Sequence, residues 1–165
     1  MKQTLRLKQI NLEDGHYRVE LEIERGGEPG LRATSTFEFR EDDADSEDVR
    51  WYLEEYLQEP ADPAPARAVR VEQRIQDVGT ALFEAVFLSS ADCRKLWDGV
   101  SHSLDSTRIE IATPGTRELP WEMLFDPHQS SFVASLAATF VRSPARPARA
   151  PARSDTQESL TATFW

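Results

Sequence analysis

The sequence predicts an α+β fold: an amino-terminal antiparallel β-meander, two to three helices, then a strand, a short LPWE helix and a closing β-hairpin. Three observations carry this expectation. Apolar residues recur at every second position through residue 39, the period of strands that bury one face. The spacing then switches to three and four residues, the period of a helix packing one stripe. After Arg142 the composition collapses to Pro, Ala and Arg with few exceptions, which neither a strand nor a helix sustains.

Leu5 and Leu7 alternate with polar neighbours and open the first strand. Tyr17, Val19, Leu21 and Ile23 alternate with Arg18, Glu20, Glu22 and Glu24 in the second, and Ala33, Ser35, Phe37 and Phe39 form the third set. The connections read as hairpins, with Glu13-Asp14-Gly15 as the first turn and Gly26-Gly27-Glu28-Pro29-Gly30 as the second.

The acidic run Glu41-Asp42-Asp43-Ala44-Asp45 reads as a solvated loop feeding a helix amino terminus, where negative charge is favourable. Val49, Tyr52, Leu53, Tyr56 and Leu57 make one helical stripe, with Asp45 or Ser46 as the expected cap. Asp62 and Pro63 open a second helix, whose stripe of Val71, Ile75, Val78, Leu82, Phe83 and Val86 takes it to about Phe87. Ser90-Ala91-Asp92 starts a third helix bearing Leu96, Trp97 and Val100. A strand over 107–112 shows Ile109 and Ile111 on one face, 119–125 reads as a short helix opened by Pro120, and Phe132-Val133 with 136–141 reads as the closing strand pair. The expected division is a domain over 1–142 and a Pro/Ala/Arg-rich linker with a short apolar end over 143–165. The linker is expected to be extended, and 160–165 has strand-type chemistry suited to pairing with a sheet edge or a partner.

A chain of 165 residues supports one domain with a modest core. Its formal net charge of -10 argues against a nucleic-acid footprint and against adsorption to anionic membranes. The single cysteine excludes an intramolecular disulfide and a CxxC zinc knuckle. The first residues lack the apolar stretch of a signal peptide, and no apolar run approaches the roughly 18 residues of a membrane span, so the expected location is the cytoplasm.

Catalytic chemistry finds no foothold in the sequence. Cys93 stands at a helix start, a setting that can acidify a thiol, but a cysteine nucleophile also needs an oriented imidazole. His16, His102 and His128 lie in no motif that would supply one. No glycine-rich phosphate loop, GxSxG or HExxH occurs. The expectation is therefore no catalytic residue, no cofactor and no metal.

Three segments carry a family resemblance: Arg50 to Leu57, Val71 to Phe87, and Arg108-Ile109-Glu110-Ile111 followed by Leu119-Pro120-Trp121-Glu122-Met123-Leu124-Phe125-Asp126-Pro127 and Phe140-Val141-Arg142. In order and spacing they resemble the leading half of bacterial CHAT-domain (caspase-like) proteins, over roughly residues 1–142. The LPWE[LM]L-x-DP segment is the most specific part. The family's His-Gly and Cys motifs follow the matched region and are absent here, so the resemblance transfers no catalytic residue. It implies a non-catalytic accessory or interaction module whose partner is a separately encoded caspase-like half or another protein. The alternative is a fragment of a CHAT cysteine peptidase, or a truncated remnant without activity. The motif residues Leu119, Pro120, Trp121, Glu122 and Asp126 are expected to be structural, with Trp121 in the core and Glu122 accepting hydrogen bonds from backbone or an arginine, or else to dock the caspase-like half.

Overall fold

Strand β1 (Gln3–Asn11) alternates buried and exposed residues and pairs antiparallel with β2 (His16–Arg25), which pairs antiparallel with β3 (Glu28–Glu38). The computed structural model describes residues 3–26, 28–40, 43–52 and 64–144. Asp14 and Gly15 take positive φ values of 52° and 75° in the first turn, a conformation that short polar residues and glycine tolerate. The second turn is tighter than the sequence suggested. Arg25 already pairs with Glu28, so Glu28 to Gly30 belong to β3, after a register shift between Glu22 and Glu24. Pro29 thus falls on an edge strand, where a missing N–H is tolerated.

The meander is the antiparallel half of a mixed five-stranded sheet that runs β3, β2, β1, then the strand Thr107–Thr113 (β4) and the strand Thr139–Pro144 (β7). Strand β4 pairs parallel with β1, and β7 pairs parallel with β4. Parallel neighbours need crossovers, and the helices between β3 and β4 make the first. They comprise α1 (Asp43–Trp51), α2 (Ala64–Phe83), a wider π-helical turn (Glu84–Leu88) and α3 (Ala91–Ser101). Helix α1 already includes Asp45 and Ser46, so neither caps it: acidic residues suit a first turn as well as a loop, and composition alone does not place the boundary. The expected stripe positions Leu53, Tyr56 and Leu57, and the expected start at Asp62-Pro63, lie outside the described residues. Helix α2 and its π turn end at Leu88, close to the expected end. Ser90 caps α3 by accepting a hydrogen bond from the Cys93 amide at 3.1 Å.

The helices cover one face of the sheet. Leu5, Leu7, Val19, Leu21, Ile23, Ile109 and Ile111 meet Leu82, Phe83, Val86, Phe87, Leu96 and Val100 in one core. Phe83, Phe87 and Trp97 stack there with ring centroids 4.4–5.2 Å apart, adding aromatic pairing to area burial. The π turn lies where the Ser35 hydroxyl donates to the Ala85 carbonyl at 2.5 Å and meets the Ser89 hydroxyl at 2.9 Å. A side-chain partner of this kind lets a helix depart from its regular ladder.

The closing region differs from the expected pairing. The hairpin consists of β5 (Phe125–Asp126) and β6 (Ser131–Phe132), with Phe125 opposite Phe132. Val133–Leu136 is a helical turn, α4, and 139–144 joins the main sheet instead of pairing with 132–133. The apolar pattern marks these segments as buried without saying which strand each one meets. The remainder of the expected linker and its apolar end, 145–165, lies outside the described residues.

The opposite face of the sheet bears charges in register. Arg6 pairs with Glu24 and, at 3.1 Å, with Glu110; Arg32 pairs with Glu22 at 2.6 Å, Lys8 with Glu20 at 3.4 Å and Arg108 with Glu110 at 2.7 Å. The hydrogen bond from Arg108, and then that from Arg6, holds the Glu110 carboxyl below its ordinary range, while Glu110 and Glu24 hold Arg6 above its own. A carboxyl depressed in the folded state contributes stability that is present above its unfolded pKa and lost as pH falls through the folded value. Arg108→Gln and Arg6→Gln are therefore each expected to raise the Glu110 titration midpoint. Carbon-detected NMR titration of the side-chain carboxyl checks both; an unmoved Glu110 midpoint contradicts the pairing.

Candidate functional site

Leu119, Pro120, Trp121 and Glu122 lie in the loop between β4 and β5, Asp126 lies in β5, and Gln9 of β1 holds Leu119 and Trp121. Gln9 is the third inward position of β1 after Leu5 and Leu7, and it is 2% exposed. Its Oε1 accepts hydrogen bonds from the Leu119 amide at 3.1 Å and from Trp121 Nε1 at 2.9 Å. Its Nε2 donates to the Arg117 carbonyl at 2.9 Å and to Asn11 Oδ1 at 2.6 Å. All four bonding positions of the buried amide are filled. The alternation itself carried a signal for this role: a glutamine in the apolar phase of a strand must find partners inside.

Around this clasp each motif residue has a definite task. Leu119 and Trp121 are buried, at 1% and 0% exposure. Pro120 precedes one 3-10 turn, Trp121–Met123, in place of the short helix expected over 119–125. The chain turns into β5 immediately afterwards, and Pro120 and Leu124, at ψ 69° and 115°, both leave the helical region. Glu122 accepts two hydrogen bonds from Arg142 Nη1, at 2.9 and 3.0 Å, which matches the expected arginine partner. Arg142 also pairs with Glu118, whose other oxygen accepts from Thr113 Oγ1 at 2.6 Å. The motif is thereby tied to β4 and β7. Asp126 is 1% exposed and accepts from the His128 amide at 2.8 Å, the Gln129 amide at 3.4 Å and Gln129 Nε2 at 3.1 Å. A carboxylate bonding to amides just ahead of it closes a turn, and here it shapes the β5–β6 connection.

Gly79 completes the clasp from the helical side. A Cβ built on it would stand 1.8 Å from the Met123 carbonyl oxygen and 3.1 Å from the Phe125 Cβ. The backbone of α2 therefore rests directly on the motif turn, a contact no other residue type permits.

Cys93 has a different setting. Its side chain is fully buried, with Sγ 3.7 Å from the Thr34 carbonyl oxygen and from the Ser89 hydroxyl. His102 and His128 are instead exposed and line one depression of about 480 Å³ with Trp97, Asp98, Asp126 and Gln129. Cys93 is not part of that wall, so the two histidines share a depression that the thiol does not line. His16 opens β2 at the far end of the chain's first turn. Among the described residues, no three His, Cys, Asp or Glu side chains are grouped so as to hold a metal ion, and no helix is long and apolar enough to cross a membrane.

The site thus defines a class by its build: a two-layer α+β domain whose most distinctive segment is a structural clasp joining β1, α2, β4 and β7. No protein-family model, curated protein or solved structure matches the chain.

Proposed function

We propose that this domain is a non-catalytic interaction module of the kind that leads CHAT caspase-like proteins, and that its partner is a separately encoded caspase-like half. The observation that carries the reading is the edge at β7. Among the described residues β7 is the last strand of the sheet, and an edge strand presents main-chain groups to which another strand can pair. Phe140, Val141 and Leu136 stand half-buried along this rim. A partner strand laid beside β7 would gain main-chain hydrogen bonds and cover that apolar rim, the recognition mode of strand addition. The motif loop fixes the edge through Arg142, so its role is to present β7.

The setting of Cys93 supports the non-catalytic half of the proposal. Its sulfur is enclosed, and the exposed imidazoles of His102 and His128 line a depression that does not include it.

One experiment tests both halves. The purified chain is mixed with a recombinant CHAT caspase-like half lacking its own leading segment, and the mixture is run by size exclusion. Co-elution is expected, and Val141→Pro is expected to abolish it while leaving the circular dichroism spectrum unchanged. The chain alone is expected to leave a peptide library uncleaved. Cleavage that disappears in Cys93→Ala would overturn the non-catalytic reading, and absence of co-elution would overturn the partner.

A further inference from the structure

Among the described residues, the face of the sheet opposite the helices carries its charges in an order that complements itself. Along one row across the sheet, register places Arg32, Glu22, Arg6 and Glu110 side by side on β3, β2, β1 and β4. The signs read plus, minus, plus, minus. In the neighbouring row, Glu20 on β2 stands beside Lys8 on β1. A two-fold axis parallel to the strands, passing between β1 and β2, reverses each row while keeping its level. Arg32 then faces Glu110 of a second copy, Glu22 faces Arg6, and Glu20 faces Lys8. Every charge of both rows meets its opposite about one axis. A row of like charges, or an odd number of alternating ones, would place equal signs together on such an axis.

We propose that this face associates with the same face of a second copy of the chain, forming a weak, salt-sensitive symmetric dimer. A two-fold interface is built of one patch that complements itself, and sheets that pack face to face keep their strands within about 30° of parallel. The side chains have capacity for the second partner. Both Arg32 hydrogen bonds reach the same oxygen of Glu22, at 2.9 and 2.6 Å, leaving Oε2 with its lone pairs. A guanidinium holds five N–H donors and a carboxylate about four acceptor sites, so the contacts between copies add to those within each chain. A depression of about 620 Å³ on this face, walled by all six residues, gives the opposing side chains room. The dimer is weak because these ions lie near solvent, where screening is strong and each pair contributes little. The inference does not rest on the β7 reading: it uses the charged side chains of β1 to β4, whereas strand addition uses the main-chain edge of β7, although Val141 stands beside Glu110 in the same row.

Sedimentation equilibrium on the full chain tests it. The wild type is expected to dimerise at about 0.02 M salt and to lose about tenfold or more in association constant by roughly 0.5 M. Arg6→Gln combined with Glu22→Gln, which removes charge without adding repulsion, is expected to weaken association by about tenfold. Two further variants separate self-complementarity from general stickiness: Arg6→Glu with Lys8→Glu, and Glu20→Lys with Glu22→Lys. Each is expected to be monomeric alone, and an equimolar mixture is expected to form a heterodimer. A wild type that stays monomeric at low salt overturns the proposal. So does either charge variant that self-associates as well as the wild type, or a neutral double variant that associates undiminished.

Discussion

Trp121→Ala is expected to lower the unfolding free energy by about 3–5 kcal/mol, the range for deleting a core aromatic. The loss has two sources. The indole is fully buried, so its removal leaves a cavity that the sheet and α2 cannot close without moving. Its Nε1 is also one of the two donors held by Gln9 Oε1, so the truncation leaves a buried acceptor half-filled. Trp121→Phe separates these sources, because it keeps most of the ring and deletes the N–H. It is expected to cost less than Trp121→Ala by at least about 1 kcal/mol, with the remainder reporting the lost hydrogen bond. Urea denaturation monitored by far-ultraviolet circular dichroism measures both. An unchanged midpoint for Trp121→Ala would mean that the motif turn contributes nothing to folding.

Gly79→Ala is expected to destabilise by about 1–3 kcal/mol, against the general rule for its position. Glycine inside a helix ordinarily costs about 0.5–1 kcal/mol relative to alanine, so the same substitution in an isolated α2 peptide is expected to raise helicity. In the folded chain the new methyl would lie 1.8 Å from a backbone oxygen, that of Met123. A carbonyl fixed between Pro120 and β5 cannot swing aside as a flexible side chain would. Either α2 lifts away from the motif turn or the turn deforms, and both loosen the packing around Trp121. Opposite signs in the peptide and the domain are the signature; a stabilised domain would show that α2 and the turn are not in contact in solution.

The strands of the meander and the buried stripe of α2 were legible because they follow a local rule. Leu5 and Leu7, or Val19 and Leu21, declare their face by period two. Val71, Leu82, Phe83 and Val86 declare theirs by helical spacing and are buried, while Ile75 and Val78 of the same stripe are half-buried. The burial of Trp121 and the bond between Glu122 and an arginine were likewise within reach, since an aromatic flanked by apolar residues and a carboxylate beside them have few other uses.

Pairing was not legible, because strand partners are chosen by contacts across the whole chain. Ile109 and Ile111 say that β4 is buried on one face, and nothing in residues 107–113 says that its neighbour is β1, about a hundred residues earlier, in parallel. Residues 139–144 have a strand's composition whether they close a local hairpin or extend the main sheet, and tertiary packing selected the sheet. Gln9 became a clasp only when the turn at 119–121 was folded over it, and Gly79 became indispensable only when Met123 arrived against α2. By itself the sequence determined which residues leave water and at what period, because burial and backbone geometry are local properties. Which buried groups meet, and hence the clasp, the place of β7 as the last strand among the described residues and the self-complementary rows of charge, was decided by the tertiary structure, because those contacts exist only once distant segments share one sheet.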